Sequence, residues 1–182
     1  MLKYVRHNIN FMRCFVAIDI PRELGEKIEK IQKEIESNSI KLAKDFHITL
    51  KFLGELNENK ISEIINCLEK IKEKKFEIEI KNLGTFPNEK YIRVLWLGCN
   101  SSKLIELARK VRSCLKGLGD EEEFTPHITI ARIKGKPQNS IYNFISKYKN
   151  IEIGRFEVKE FKLKKSILTP SGAIYSLSLI HI

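Results

Sequence analysis

The stretches DFHITLKFLG (residues 45–54) and FTPHITIARIK (residues 124–134) decide how this chain folds. Each contains histidine, isoleucine, threonine and an aliphatic residue in succession, and one copy lies in each half of the chain. The chain has four histidines, so a threonine two positions after two of them is not expected by chance. The repeat predicts two similar strands, one from each half, that act together.

Both repeats alternate polar and apolar residues, which is typical of a half-buried strand. Because successive side chains of a strand point to opposite faces, His47 and Thr49 are expected to share one face. His127 and Thr129 are expected to do the same in the second strand. Two converging imidazoles suit general acid–base catalysis near neutral pH, and hydroxyls suit hydrogen bonding to phosphoryl oxygens. Satisfied polar residues in two core strands are the alternative interpretation.

Arg132 follows the second histidine by five positions, so a regular strand would point it away from His127. A bulge near the end of the strand would return it to the histidine face. There its guanidinium would stabilise the charge of a phosphate in the transition state. A surface arginine is the alternative. Lys51 is a candidate cation at the rim of the site, on the condition that its strand stays regular.

Metal binding is the competing use of histidine, but the spacing of the candidate ligands does not favour it. Only Asp45 lies close to His47, and the glutamates at 121–123 precede His127 without a spacing typical of zinc. The sequence also has no glycine-rich phosphate loop. Chemistry without a metal or other cofactor is therefore predicted. The cysteines lack a C-x-x-C pair and are predicted to be reduced, mostly buried thiols. They are Cys14, Cys67, Cys99 and Cys114.

Basic residues exceed acidic residues by 33 to 23, which gives a formal charge of +10 at pH 7. This excess favours an anionic partner, with nucleic acid first; a lysine-rich solvated surface is the alternative. The sequence contains no apolar run of about 20 residues and no signal-peptide pattern at its start. A cytoplasmic protein that does not contact membranes is expected.

Strand and helix patterns follow one another in the order βαβαββ and then αβαββ, with one long strand at residues 153–168. Hairpins favour mainly antiparallel pairing and an α+β fold. No segment rich in glycine, serine and proline separates the halves, so residues 12–182 are predicted to be one two-lobed domain. Residues 1–11 show no clear period and are predicted to be an N-terminal extension.

Beyond these patterns, the sequence resembles a known family. MRCFVAIDIP (residues 12–21), FHITLKFLGE (46–55) and FTPHITIARIK (124–134) are similar to stretches of the two-histidine phosphoesterases. The resemblance is strongest to the branch of RNA 2',3'-cyclic phosphodiesterases, also called 2'-5' RNA ligases, and includes GTFPNEKYIRVLWLG and LTPSGAIYSLSLI. It covers residues 12–180, and the paired H-x-T-x motif marks the whole superfamily.

The resemblance implies a bilobal fold in which two antiparallel sheets face a central cleft, with helices packed on the outside. It implies hydrolysis of a terminal RNA 2',3'-cyclic phosphate to a 2'-phosphate, without a metal or nucleotide cofactor. His127 would be the general base that activates water and His47 the general acid, with the roles exchanged if the nucleotide binds reversed. Thr49, Thr129 and Arg132 would hold the phosphate. Run backwards with an RNA 5'-hydroxyl, the same site would form a 2'-5' linkage.

Two other functions stay open at this point. The family also includes enzymes that cleave 2',5'-linked oligonucleotides, and a protein that binds RNA ends without turnover would keep the same pocket. The resemblance implies RNA with a 2',3'-cyclic phosphate end as the partner, including tRNA fragments, and a monomeric protein. Phe46 and Tyr91 are candidates for stacking on a base.

Overall fold

The computed structural model describes residues 12–167 and 173–181. The predicted extension at 1–11 and the turn predicted at 169–172 lie outside the described residues. The strands within them are β1 (Met12–Asp19), β2 (Ile40–Leu42), β3 (His47–Leu56), β4 (Phe76–Asn88), β5 (Tyr91–Asn100), β6 (His127–Ile133), β7 (Glu152–Val158), β8 (Glu160–Ile167) and β9 (Ala173–His181). The helices are α1 (Arg22–Gln32), α2 (Glu58–Leu68), α3 (Ser102–Cys114) and α4 (Asn139–Tyr148).

The strands form a single antiparallel sheet in the order β7-β4-β5-β6-β3-β1-β8-β9, with β2 added beside β6. The two motif strands, β3 and β6, lie at the centre and are joined through one residue pair, Ile48 with Ile128. This narrow seam divides that order into two halves of four strands each. The predicted α+β fold with two antiparallel lobes is confirmed, and hydrogen bonding at the seam makes the two lobes one continuous, curled sheet.

The core lies between the sheet and the helices. Each helix has apolar residues three or four positions apart, which places them on one face. In α3 the buried residues are Leu104, Leu107, Ala108 and Val111. That helix contacts β3, and α1 and α4 contact strands of the other half. No helix in the described ranges is long and apolar enough to span a membrane.

Two strand predictions differ from the structure. The pattern does not reveal β2, because three residues are too few to show alternation, and β2 forms by pairing with β6. The long strand predicted at 153–168 is two strands, β7 and β8, separated at Lys159. Val158 and Phe161 are both buried, and an odd spacing between buried residues does not fit the alternation of one regular strand. The two strands pair with β4 and β1, so the chain crosses between the halves at Lys159.

The cysteine prediction holds for one pair and is wrong for the other. Cys14 and Cys99 are buried free thiols, and burial raises the pKa of the Cys14 thiol above its ordinary value. Cys67 in α2 and Cys114 at the end of α3 form a disulfide, with their Cα atoms 6.2 Å apart. They are 47 residues apart in sequence. Only the packing of α2 against α3 brings them together, so spacing alone does not predict the bond.

Candidate active site

The first motif occupies the start of β3, where one face of the strand packs on the core and the other is open. His47 and Thr49 lie on the open face, partly exposed, whereas Ile48 and Leu50 have no exposed surface. The alternation predicted from the sequence is therefore present over these four residues. The apolar pair fixes the register of the strand, because a slip by one residue would bury the imidazole and expose the isoleucine.

A bulge follows the first motif. The register of β3 against β1 shifts by one residue at Leu50, so that Leu50 and Lys51 are both buried and Phe52 turns to the open face, 48% exposed. The Nζ atom of Lys51 donates to the carbonyl oxygen of Asp120 (2.7 Å) and to the carboxylate of Glu121 (3.1 Å). The prediction that Lys51 is a rim cation is wrong, because the strand is not regular at this point.

The second motif has the same irregularity. The register of β6 against β5 shifts between Thr129 and Ala131, and Ile130 and Ala131 are both fully buried. Arg132 is exposed on the same face as Thr129 and His127. The bulge on which the prediction for Arg132 depends is therefore present. Because both strands bulge at the position after threonine, Arg132 in β6 corresponds to Phe52 in β3.

A side chain caps the carbonyl oxygen of the bulged residue in each strand. The buried Gln32 of α1 donates from Nε2 to the carbonyl oxygens of Ile130 (2.6 Å) and Ala43 (2.9 Å). In the other half, Arg112 of α3 donates to the carbonyl oxygen of Leu50 at 3.4 Å. A bulge leaves a backbone group without a ladder partner, so these contacts stabilise the irregularity. Sequence reasoning missed both residues, because nothing in a helix pattern marks which polar side chain reaches a distant carbonyl.

The seam brings the two motifs onto one surface. Ile48 lies opposite Ile128 in an antiparallel pair, with both side chains buried on the core side. The neighbours of these isoleucines therefore point to the open face, and each histidine lies beside the threonine of the other motif. Residues opposite one another in an antiparallel pair have Cα atoms roughly 4.5–5.5 Å apart. Two imidazoles and two hydroxyls thus line one narrow region of the cleft.

His127 has a backbone acceptor for one ring nitrogen. Its Nδ1 atom lies 2.7 Å from the carbonyl oxygen of Thr125, so the neutral ring carries its proton on Nδ1 and leaves Nε2 free to accept one. Phe86 packs edge-on against the ring with centroids 4.9 Å apart. Burial lowers the pKa of His127, the hydrogen bond to Thr125 opposes this, and the charge of Arg132 lowers it further. The neutral form suits a general base.

His47 has a different environment. Its ring packs against Phe15, with centroids 5.1 Å apart. Its Nδ1 atom is buried and, within the part of the chain that the structure describes, has no hydrogen-bond partner. The nearest carboxylate oxygen, Oδ2 of Asp45, lies 3.8 Å away. Burial lowers the pKa of His47 and Lys164 adds to this, whereas the negative charges of Asp45 and Asp19 and the backbone of Asp45 raise it; the net direction is downward.

Two lysines of β8 and an aspartate of β1 form an ionic network beside His47. Asp19, which lies opposite His47 in the β1–β3 pair, accepts hydrogen bonds from Lys164 (2.6 Å) and Lys162 (2.8 Å). Burial opposes ionisation of Asp19, but these hydrogen bonds outweigh it and hold its pKa below the usual value. Sequence reasoning missed this network. The sequence shows which residues of β8 are polar, but it does not show that β8 pairs with β1.

The remaining candidates fall on both sides of the site. Phe46 is 7% exposed and lies in the core, so the prediction that it stacks on a base is wrong. Tyr91 is 55% exposed and carries the guanidinium of Arg93 over its ring at 4.4 Å, so its stacking role stays a prediction.

The acidic residues considered as metal ligands do not gather at the histidines. Glu121 bonds Lys51 on the buried side of β3. Among residues 12–167 and 173–181, no three His, Cys, Asp or Glu side chains cluster as metal ligands.

A curled antiparallel sheet with one H-x-T strand from each half defines the class of two-histidine phosphoesterases. Comparison with known families agrees. The model of the LigT-like phosphoesterase family matches the chain twice, over residues 18–96 and 97–175. The chain therefore belongs to the LigT-like phosphoesterase family, and one match falls in each half of the sequence.

Relatives agree with this family, and solved structures agree with the fold. The chain is 43% identical to an RNA 2',3'-cyclic phosphodiesterase of Methanocaldococcus jannaschii, over 91% of this chain and 98% of the relative. It is 38% identical to one of Archaeoglobus fulgidus, over 90% and 96%. The fold matches a protein of Thermus thermophilus with a TM-score of 0.81 and 26% identity, covering 93% of this chain and 97% of that one. It also matches Escherichia coli LigT complexed with 3'-AMP, with a TM-score of 0.80 and 24% identity, covering 95% and 99%.

Proposed function

We propose that this protein hydrolyses the terminal 2',3'-cyclic phosphate of RNA to a 2'-phosphate. The observation that carries the proposal is the seam, where one residue pair turns both H-x-T motifs to the same open face. Close relatives named RNA 2',3'-cyclic phosphodiesterase support the choice of reaction. The formal charge of +10 suits an RNA substrate.

The chemistry requires two proton transfers on opposite sides of the phosphorus atom. In this proposal, Nε2 of His127 removes a proton from water as its oxygen forms a bond to phosphorus. The bond from phosphorus to the 3' oxygen breaks, and His47 donates a proton to that oxygen. The products are a 2'-phosphate and a 3'-hydroxyl. The lowered pKa of His127 keeps its ring neutral at pH 7, as a base must be.

Three further side chains are assigned to the phosphate. Thr49 and Thr129 would donate hydrogen bonds to its non-bridging oxygens from opposite sides of the seam. Arg132 would stabilise the negative charge that accumulates during attack. Since Arg132 has no cationic counterpart at Phe52, the phosphate is expected to bind closer to His127. A nucleotide bound in reverse would exchange the two histidine roles.

The proposal extends to the biological setting. Fragments of tRNA with cyclic ends are proposed as natural substrates, acted on by a monomeric enzyme in the cytoplasm. With an RNA 5'-hydroxyl in place of water, the reverse reaction would form a 2'-5' linkage. Tyr91, exposed and stacked with Arg93, is available to a base of the RNA beyond the reacting nucleotide.

The test uses a short RNA ending in a 2',3'-cyclic phosphate, in EDTA and without nucleoside triphosphate. Formation of an RNA with a 2'-phosphate is the expected result. Absence of product from folded protein would overturn the proposal. Cleavage of a 2',5'-linked oligonucleotide instead would assign the other activity, and salt-dependent binding without turnover would identify an RNA-end binding protein.

A further inference from the structure

Lys164 is a buried cation that neither the motifs nor the proposed chemistry uses. Its side chain is 7% exposed, and its Nζ atom lies 2.6 Å from Oδ1 of Asp19 and 3.5 Å from Oδ2 of Asp45. A buried ammonium group is stable only when it is paired. Lys164 pairs with two carboxylates, and one of them, Asp45, lies between Lys164 and the ring of His47.

Within the described residues, Nδ1 of His127 has a hydrogen bond and Nδ1 of His47 does not. For His127 the residue two positions earlier, Thr125, accepts a hydrogen bond through its carbonyl oxygen at 2.7 Å. For His47 the residue two positions earlier is Asp45, and its carboxylate oxygen lies 3.8 Å from Nδ1. This distance is too long for a hydrogen bond. A small rotation of either side chain would close it.

The charges around His47 come from several elements. Asp45 precedes the ring in the chain, Asp19 faces it from β1, and Lys162 and Lys164 approach from β8. From β6, the ring of His127 lies on the same face across the seam. Removing Lys164 would leave Asp45 without its lysine partner, while Asp19 would keep Lys162. At such short distances charge interactions inside a protein are strong.

We propose that Lys164 is a positioning residue of the catalytic centre, which holds the carboxylate of Asp45 beside Nδ1 of His47. Asp45 then accepts the Nδ1–H bond of the protonated ring and directs Nε2 toward the leaving 3' oxygen. The positive charge of Lys164 also offsets the negative charges of Asp19 and Asp45, so that His47 can still release its proton to the leaving oxygen. This inference rests on the proposed function, since it concerns how the general acid is prepared.

The experiment replaces Lys164 with methionine and follows the ring of His47 by NMR titration, assigned from its loss in His47→Ala. Removal of a nearby positive charge favours the imidazolium ion, so the pKa of His47 is expected to rise while that of His127 stays unchanged. The value of kcat is expected to fall on the order of tenfold, because the acid loses its orientation. Lys165→Met is the matched control, since Lys165 lies next to Lys164 in β8 and pairs with Cys14 on the other face. An unchanged His47 titration in Lys164→Met would overturn the proposal.

A second variant keeps the proposal testable if Lys164→Met does not fold. Asp45 is half-exposed, so Asp45→Asn is expected to fold, and it should lower the pKa of His47, opposite in direction to Lys164→Met. If Lys164 acts through Asp45, the two effects on kcat are not additive, and Lys164→Met changes kcat little in the Asp45→Asn protein. Additive losses would contradict the positioning role. The NMR titration needs no turnover, so it tests the coupling of Lys164 to His47 even if cyclic phosphate hydrolysis is absent, and the two failures are distinguishable.

Discussion

The two motif strands, one in each half of the sheet, share one backbone geometry and differ in the side chains around the histidines. β3 and β6 each present histidine and threonine on the open face and bulge at the next residue. After the bulge, one strand presents Phe52 and the other Arg132. Beside Nδ1, one histidine has the carboxylate of Asp45 and the other the backbone carbonyl of Thr125.

This difference teaches how a symmetric frame supports an asymmetric reaction. Hydrolysis of a cyclic phosphate needs one group that gives a proton and one that takes it. Burial and the nearby guanidinium of Arg132 favour the neutral ring of His127, against the hydrogen bond to Thr125, as suits a base. Burial lowers the pKa of His47 too, but the strongest nearby charge is the carboxylate of Asp45, which opposes that shift without reversing it. The repeated backbone places the two rings, and the proposed division of roles rests on the different charges around them.

The largest expected effect comes from removing either ring. His47→Ala and His127→Ala are each expected to lower kcat by about 10²- to 10⁴-fold, because each removes one general acid–base step. The measurement is turnover of the cyclic phosphate RNA, with circular dichroism to verify folding. His181→Ala, an exposed histidine of β9, is the control and should retain full activity. Near-normal turnover in a folded His47 or His127 variant would remove the two-histidine mechanism.

The next effect separates the two positions after the bulges. Arg132→Met is expected to lower kcat/KM by about 10²- to 10³-fold, because it removes a charged group that stabilises the transition state. It should also weaken binding of inorganic phosphate, measured by calorimetry. Phe52→Ala is the matched change at the corresponding position of β3 and should leave phosphate affinity unaltered. Equal losses of phosphate affinity in both variants would show that the halves do not differ in this respect.

The pH profile tests the electrostatic side of the comparison. The pKa of His127 is lowered in part by Arg132, so a nearby cation keeps the base neutral to lower pH. In Arg132→Met the positive charge is absent, so the pKa of His127 rises and the acidic limb of the kcat/KM profile should move to higher pH. The titration of His47 should not move with it. A profile with an unshifted acidic limb would contradict the assignment of His127 as the base.

The smallest effects concern the contacts that cap the bulges. Gln32→Leu is expected to lower the free energy of unfolding by about 1–3 kcal/mol, because it removes the side-chain donor to the carbonyl oxygen of Ala43 and one of the two donors to that of Ile130. Arg112→Met is a less specific change, because Arg112 contacts Asp120 and the carbonyl oxygen of Glu122 in addition to its long bond to Leu50 (3.4 Å). Urea denaturation measures the loss in Gln32→Leu. An unchanged free energy of unfolding in Gln32→Leu would contradict a stabilising contact at the bulge of β6.

The sequence determined which residues of the two motifs lie on the face that lines the cleft. Alternation within a few residues depends only on local backbone geometry, and for that reason the open faces of β3 and β6 and the buried isoleucines were predictable. The period of two also shows that a regular strand would point Arg132 away from His127. The need for a bulge to bring Arg132 to the open face was therefore predictable. The resemblance in the motifs then identified the family, which comparison confirms.

Tertiary structure alone decided what surrounds those residues. Lys164 and His47 are far apart in the chain and meet only because β8 pairs with β1 and β1 with β3. The bulge that buries Lys51, the division of the strand at Lys159 and the bond between Cys67 and Cys114 likewise depend on which elements pack together. A local pattern specifies the face on which a side chain lies. Its partner across that face is specified by long-range pairing, which the pattern does not contain.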